Sequence, residues 1–129
     1  MSMNTSRVTI ILRVVLGLML VLTGLNKFFH FMPTPPGTPE LQAFLHALVA
    51  SGYLMALVGG LESIVGVMLV TDRFVPVALL LLTPISVNIV LAHAVLDPSG
   101  IAPGALVAAL NLALCFAYRD HYLPLLESN

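Results

Sequence analysis

The stretch from Val8 to Phe29, VTIILRVVLGLMLVLTGLNKFF, carries only two charged side chains, Arg13 and Lys27. A bilayer-spanning helix needs about 20 predominantly apolar residues, and this run supplies them. It exceeds the roughly 7–15 residues of a secretory signal core. Asn26-Lys27-Phe28-Phe29-His30 follows its apolar core, Val8 to about Leu25, in place of a small-residue cleavage site. The stretch therefore reads as an uncleaved first span behind the short, weakly basic lead Met1–Arg7.

Three more apolar stretches follow. Gly52–Thr71 is interrupted by Glu62, Val75–Leu96 by Asn88 and His93, and Ile101–Tyr118 by Asn111. The links Asp72-Arg73-Phe74 and Asp97-Pro98-Ser99-Gly100 are short and turn-like. Short links force neighbouring helices to run antiparallel. The expected architecture is an all-α membrane protein: one domain, residues 1–129, forming an antiparallel four-transmembrane-helix bundle. Its spans are 8–29, 52–71, 75–96 and 101–118.

Composition agrees. Charged residues make up 9% of the 129, against about 25% in a soluble domain, and mean hydropathy is +1.04. With a net charge of −1 and no basic tract, nucleic acid is not an expected partner. Cys115 is the single cysteine, which excludes an internal disulfide, a CxxC pair and a cysteine zinc cluster. It reads as a small buried hydrophobe.

The first loop departs from the pattern. Pro33-Thr34-Pro35-Pro36-Gly37 cannot be helical. Thr38-Pro39-Glu40 reads as a helix start, with Thr38 as N-cap and Pro39 at the first helical position. Leu41, Phe44, Leu45, Leu48 and Val49 recur at helical spacing, predicting a short amphipathic helix over 39–50 in the first outer loop. Pro76 fits the first turn of the third span, and Pro84 should kink it. Arg7, Arg13, Arg73 and Arg119 fall on one side of the four-span arrangement and Lys27 on the other. The positive-inside bias places both termini in the cytoplasm.

The polar residues sort by depth at a rise of about 1.5 Å per residue. Arg13, Glu62, Asn88 and Asn111 form an expected central layer, and Asn26, Lys27, His30 and His93 an outer mouth. Arg13, Gly17, Leu20, Gly24 and Lys27 share one helix face, as do Gly59, Glu62 and Gly66. Glycines beside polar groups let helices approach closely. The expected ion pair is Arg13–Glu62, with Asn88 and Asn111 as hydrogen-bond partners and Lys27 too far along the axis to take part. Such a pair either fixes helix register or binds a ligand or handles protons. The asparagines read as interhelical hydrogen bonders or ligand contacts, and Lys27 and His30 as snorkelling mouth residues. His30 and His93 without a nearby carboxylate are a weak metal signal.

Arg13-x-x-x-Gly17, leading to Thr23-Gly24-Leu25-Asn26-Lys27-Phe28, resembles the first span of DoxX-like membrane proteins. Ser51-Gly52-Tyr53, Leu61-Glu62, Gly66-x-x-Leu69, Phe74-Val75-Pro76, Pro84-x-x-x-Asn88-Ile89, Asp97-Pro98 and Ala117-Tyr118-Arg119 continue the resemblance over nearly the whole chain. It implies a small bacterial inner-membrane protein of four spans. Among such relatives is the small subunit of a thiosulfate:quinone oxidoreductase, and Arg13 and Glu62 are the family-like polar pair.

Three functional expectations follow. The first is an accessory subunit of a membrane oxidoreductase assembly that binds a quinone or lipid through Arg13, Glu62, Asn88 and Asn111. The second is a small proton-coupled transporter, motivated by the intramembrane carboxylate. The third is a purely structural membrane partner, as a homo-oligomer or beside another subunit. The sequence carries no haem-type histidine pair or cysteine cluster. No cofactor is evident, and any electron-transfer role needs a partner or a bound quinone. No nucleophile–base pair names a catalytic residue.

Overall fold

A computed structural model of the chain describes residues 6–128; the lead residues 1–5 and the last residue lie outside the described residues. Five α-helices run in the order α1 (Arg7–Phe29), α2 (Pro39–Ala50), α3 (Leu54–Val70), α4 (Val75–Leu96) and α5 (Ile101–Ala117). Short 3-10 turns lie between α4 and α5 at Pro98–Gly100 and after α5 at Arg119–His121 and Leu123–Leu126. No strand occurs among the described residues.

Local chemistry sets the helix ends. The Ser6 side chain caps α1 by accepting from the Thr9 amide at 3.2 Å. Thr38 caps α2 from Leu41 in the same way, with Pro39 at its start. His30 closes α1 in the left-handed conformation at φ 53°. There the Asn26 carboxamide clamps the backbone of Met32 from both sides, at 2.7 and 3.3 Å. The Thr38 hydroxyl also donates to the Leu96 carbonyl, which fastens the start of α2 to the end of α4. At the opposite end the Tyr122 hydroxyl donates to the Pro76 carbonyl at 2.8 Å. Burial holds this phenol above its ordinary pKa, and the neighbouring Cys115 adds to the effect. Tyr122 thus stays a donor throughout the physiological range.

Three segments are long and apolar enough to cross a membrane: Arg7–Phe29, Val75–Leu96 and Pro98–Ala117. α2 and α3 meet that test only together, with a bend of 91° between them. The bend falls at Ser51-Gly52, where Gly52 takes φ +86°. Alone, α3 has 17 residues, less than the full second span expected from the sequence. Large apolar side chains point outward all round the helices; Ile11, Leu112 and Phe116 are 59%, 69% and 67% exposed. Such a surface needs lipid around it.

Leu16 and Leu20 of α1, Val65 and Leu69 of α3, Leu79 and Leu82 of α4 and Leu114 of α5 fill the core. Its tightest seam lies between α1 and α3. A Cβ on Gly66 would stand 2.7 Å from the Gly17 carbonyl oxygen and 2.8 Å from the Val21 amide nitrogen. One on Gly24 would stand 2.9 Å from the Gly59 carbonyl oxygen. Gly17 therefore faces Gly66 while Gly24 faces Gly59, and the two helices run in opposite directions. In lipid, where apolar side chains gain little by meeting one another, close backbone approach of this kind holds helices together.

Gly66→Ala should lower stability by about 1–3 kcal/mol, because the methyl group meets backbone that cannot yield. Gly60→Ala adds a methyl group in open space and should be neutral, or stabilising by up to ~1 kcal/mol. Denaturant titration in mixed micelles measures both.

Candidate functional site

The Gly17–Gly66 and Gly24–Gly59 register places the charges. Side chains on a helix lean toward its N-terminus, so on oppositely directed helices they lean in opposite senses. Lys27 and Glu62 start roughly 9 Å apart along the axis and lean toward each other. Lys27 Nζ reaches Glu62 Oε1 at 2.8 Å. The Thr23 hydroxyl, one turn before Lys27, donates to the same oxygen at 3.3 Å. Arg13 leans in the same sense as Lys27, which from its level on α1 carries it away from Glu62, toward the end of α3 and the turn beyond it. There its Nη1 lies 2.6 Å from Asp72 Oδ1. The expected Arg13–Glu62 pair does not form, and Lys27 is not out of reach. Depth alone misplaced both cations, because it ignored the direction in which each side chain points.

Exposure separates the two pairs. Glu62 is buried to 2% in its side chain while Lys27 is 27% exposed. Lys27 donates one hydrogen bond among the described residues, leaving the remainder of its three donors free at the flank of the α1–α3 seam. In the other pair Arg13 is the buried partner and Asp72, at 61%, the open one. Asp72 sits in the link before α4 at φ +59°. Arg13 Nε and Nη1 make no aligned hydrogen bond, so the short Nη1 contact is one of charge.

A third polar cluster joins α4 and α5. The Asn111 carboxamide donates to Ser86 Oγ at 2.9 Å and to Thr83 Oγ1 at 3.4 Å, and it accepts from Cys115 Sγ at 3.5 Å. Thr83 and Ser86 in turn donate to the Leu79 and Thr83 carbonyls of their own helix. Asn88 stands apart from this network: its side chain is exposed on the outside of α4. Arg13, Glu62, Asn88 and Asn111 therefore do not form one central layer. They occupy four environments: the arginine end, the Lys27 pair, the outer face of α4 and the α4–α5 interface.

The outer-mouth residues also divide. Lys27 belongs with Glu62, and Asn26 holds the first loop. His30 is exposed at the helix end, and the His93 ring Nδ1 hydrogen-bonds the Ile89 carbonyl at 3.0 Å. Beside His93, Asp97 is 3% exposed and accepts from Ser99 Oγ at 2.6 Å. A Cβ on Gly37 would stand 2.8 Å from the other Asp97 oxygen, so this carboxylate packs against the first loop. Thr23, Asp72, Thr83, Ser86 and Asp97 are the polar contributors that sequence reasoning missed. Thr23 carried a usable signal, lying four residues before Lys27 on one helix face.

The family model described as DoxX matches residues 8–94. The chain belongs to the DoxX family. The match covers α1 to nearly all of α4 and so includes Lys27, Thr23 and Glu62. Comparison with curated proteins and with solved structures found no match. Family membership and the apolar helices make this DoxX chain a multi-pass membrane protein.

Double-mutant cycles should find Lys27→Met and Glu62→Leu coupled by about 1–3 kcal/mol. Arg13→Met and Glu62→Leu should add within ~0.5 kcal/mol. Unfolding free energies of the single and double variants in one micelle system give both numbers.

Proposed function

We propose that this DoxX chain is a bacterial inner-membrane subunit that binds a small amphiphile, a quinone or a lipid, at the Lys27–Glu62 pair and serves a membrane oxidoreductase assembly. In this reading α1, α3, α4 and α5 are the four spans of an antiparallel bundle, with α2 lying along the outer surface. Arg7, Arg13, Arg73 and Arg119 gather at one end, since Arg13 meets Asp72 and Tyr122 ties the chain after Arg119 to the start of α4. The excess of arginine makes that end cytoplasmic, both termini included, and the Lys27–Glu62 pair then lies in the outer half.

The observation that carries the proposal is the asymmetry of the ion pair. A carboxylate buried to 2% is held against an ammonium that is 27% exposed. Glu62 fixes the position of Lys27 while the unused ammonium donors face the flank of the helix pair. A quinone carbonyl or a lipid phosphate is an acceptor that suits such a donor, and the lipid-facing apolar side chains take its tail. Arg13 and Asn111, engaged with Asp72 and with Ser86 and Thr83, act in this reading by holding the helices around the Lys27–Glu62 pair.

Native mass spectrometry of protein extracted gently from its own membrane, with analysis of the bound lipids and quinones, tests the proposal. One amphiphile species should be retained by the native chain and by Asn111→Ser. Its occupancy should fall at least tenfold in Lys27→Gln. Bulk lipid alone, or a species held equally by Lys27→Gln, would overturn it.

A further inference from the structure

Asn88 presents a problem that the Lys27–Glu62 pair does not solve. It lies on α4 eight residues before Leu96, roughly 12 Å from the end of the helix, at hydrocarbon depth. Its carboxamide is exposed. The hydrogen bonds made by the other polar side chains of α4, Thr83, Ser86 and His93, do not include it. A carboxamide facing lipid has no water to satisfy it, and such groups hydrogen-bond across helices instead.

The residues around it repeat in a specific way. Val77, Leu81, Pro84, Asn88, Leu91 and Val95 follow one another at intervals of four, three, four, three and four, and all six are exposed on α4. Leu80, Val87 and Ala94 are exposed beside them; within this face the six positions match the spacing of a helix–helix seam, with Asn88 at a position equivalent to a. Nothing else in the described chain covers this face. α4 meets α3 and α5 through a different side, on which Ala78, Leu79, Leu82 and Ser86 are buried.

We infer that this face of α4 is a self-association surface, and that its occupant is α4 of a second copy of the same chain. Two copies in one membrane share an orientation, so their α4 helices cross as parallel partners about a two-fold axis along the bilayer normal. Asn88 then meets Asn88 of the second copy. A carboxamide is donor and acceptor at once, so the pair is self-complementary, as an isologous interface requires. A single asparagine at an a position in an apolar seam sets the register and the two-stranded state of parallel helices. The seam is smoothest from Pro84 to Val95, because Pro84 interrupts the helical ladder behind it. This surface lies on α4, away from the Lys27–Glu62 pair of α1 and α3, so the two proposals fail independently.

The full-length protein in liposomes, counted by single-molecule photobleaching across a series of protein-to-lipid ratios, provides the test. The native chain should shift from monomer to dimer as the ratio rises, with no higher species. Asn88→Leu should lower the association constant roughly threefold to thirtyfold, with unchanged helicity by circular dichroism, and Asn88→Gln should recover part of the loss. In a Cys115→Ser background, Leu91→Cys should give a disulfide-linked dimer on mild oxidation. Leu112→Cys, on the outer face of α5, should not. A chain monomeric at every ratio, a dimer indifferent to Asn88→Leu, or cross-linking through Leu112→Cys in preference to Leu91→Cys would overturn the inference.

Discussion

Gly17 against Gly66 and Gly24 against Gly59 bring α1 and α3 into backbone contact, and the placement of the charges follows from that contact. It fixes two things at once, the level of each residue on its neighbour and the opposite direction of the two helices. The lean of helical side chains then does the rest. On α1 it carries Arg13 away from the centre toward Asp72 and brings Lys27 inward; on α3 it sends Glu62 outward to meet Lys27. A register slip of one turn, about 5.4 Å, would separate Lys27 from Glu62 and leave a carboxylate buried without a cation, at a cost of roughly 3–5 kcal/mol. Backbone packing and the ion pair therefore specify the same arrangement.

Burial is divided within each ion pair. Glu62 is the buried member of one and Arg13 of the other, while Lys27 and Asp72 reach outward. A buried charge tied to a partner at the surface is held in place without being sealed off. This arrangement leaves the Lys27 ammonium partly exposed, and it is why the proposed site is placed at the helix flank rather than in a central cavity. The α4–α5 network around Asn111 closes on itself through Ser86, Thr83 and Cys115 and links the two helices.

The positions of the helices were legible in the sequence because apolar run length, Pro39, Pro76 and the short links each act locally. Thr38 as the cap of α2 was legible for the same reason. The polar contacts were legible only in part. Helical phase put Arg13, Gly17, Gly24 and Lys27 on one face and Gly59, Glu62 and Gly66 on another, and those faces do meet. Which cation finds Glu62 depends on register and side-chain lean, and neither is present in a list of depths. Asn88 was grouped with Asn111 by depth, yet the two face opposite ways. Residue 88 lies two positions from the buried Ser86, about 200° around the helix, and that offset was the available signal. Asp72 and Asp97 were read as turn residues; Asp72 meets Arg13 only once the ends of α1 and α3 are assembled, while Asp97 is hydrogen-bonded by Ser99 beside it and buried against the first loop.

Lys27 is the only lysine in the chain, so its side-chain nitrogen can be labelled without ambiguity. Solid-state NMR in lipid bilayers, recoupling the 15N of Lys27 Nζ with glutamate carboxylate carbons, measures the central contact directly. The account predicts a strong short-range dipolar coupling, matching the 2.8 Å Nζ–Oε1 separation, which disappears in Glu62→Gln. A lysine signal with no carboxylate coupling, or a coupling that survives Glu62→Gln, would contradict it.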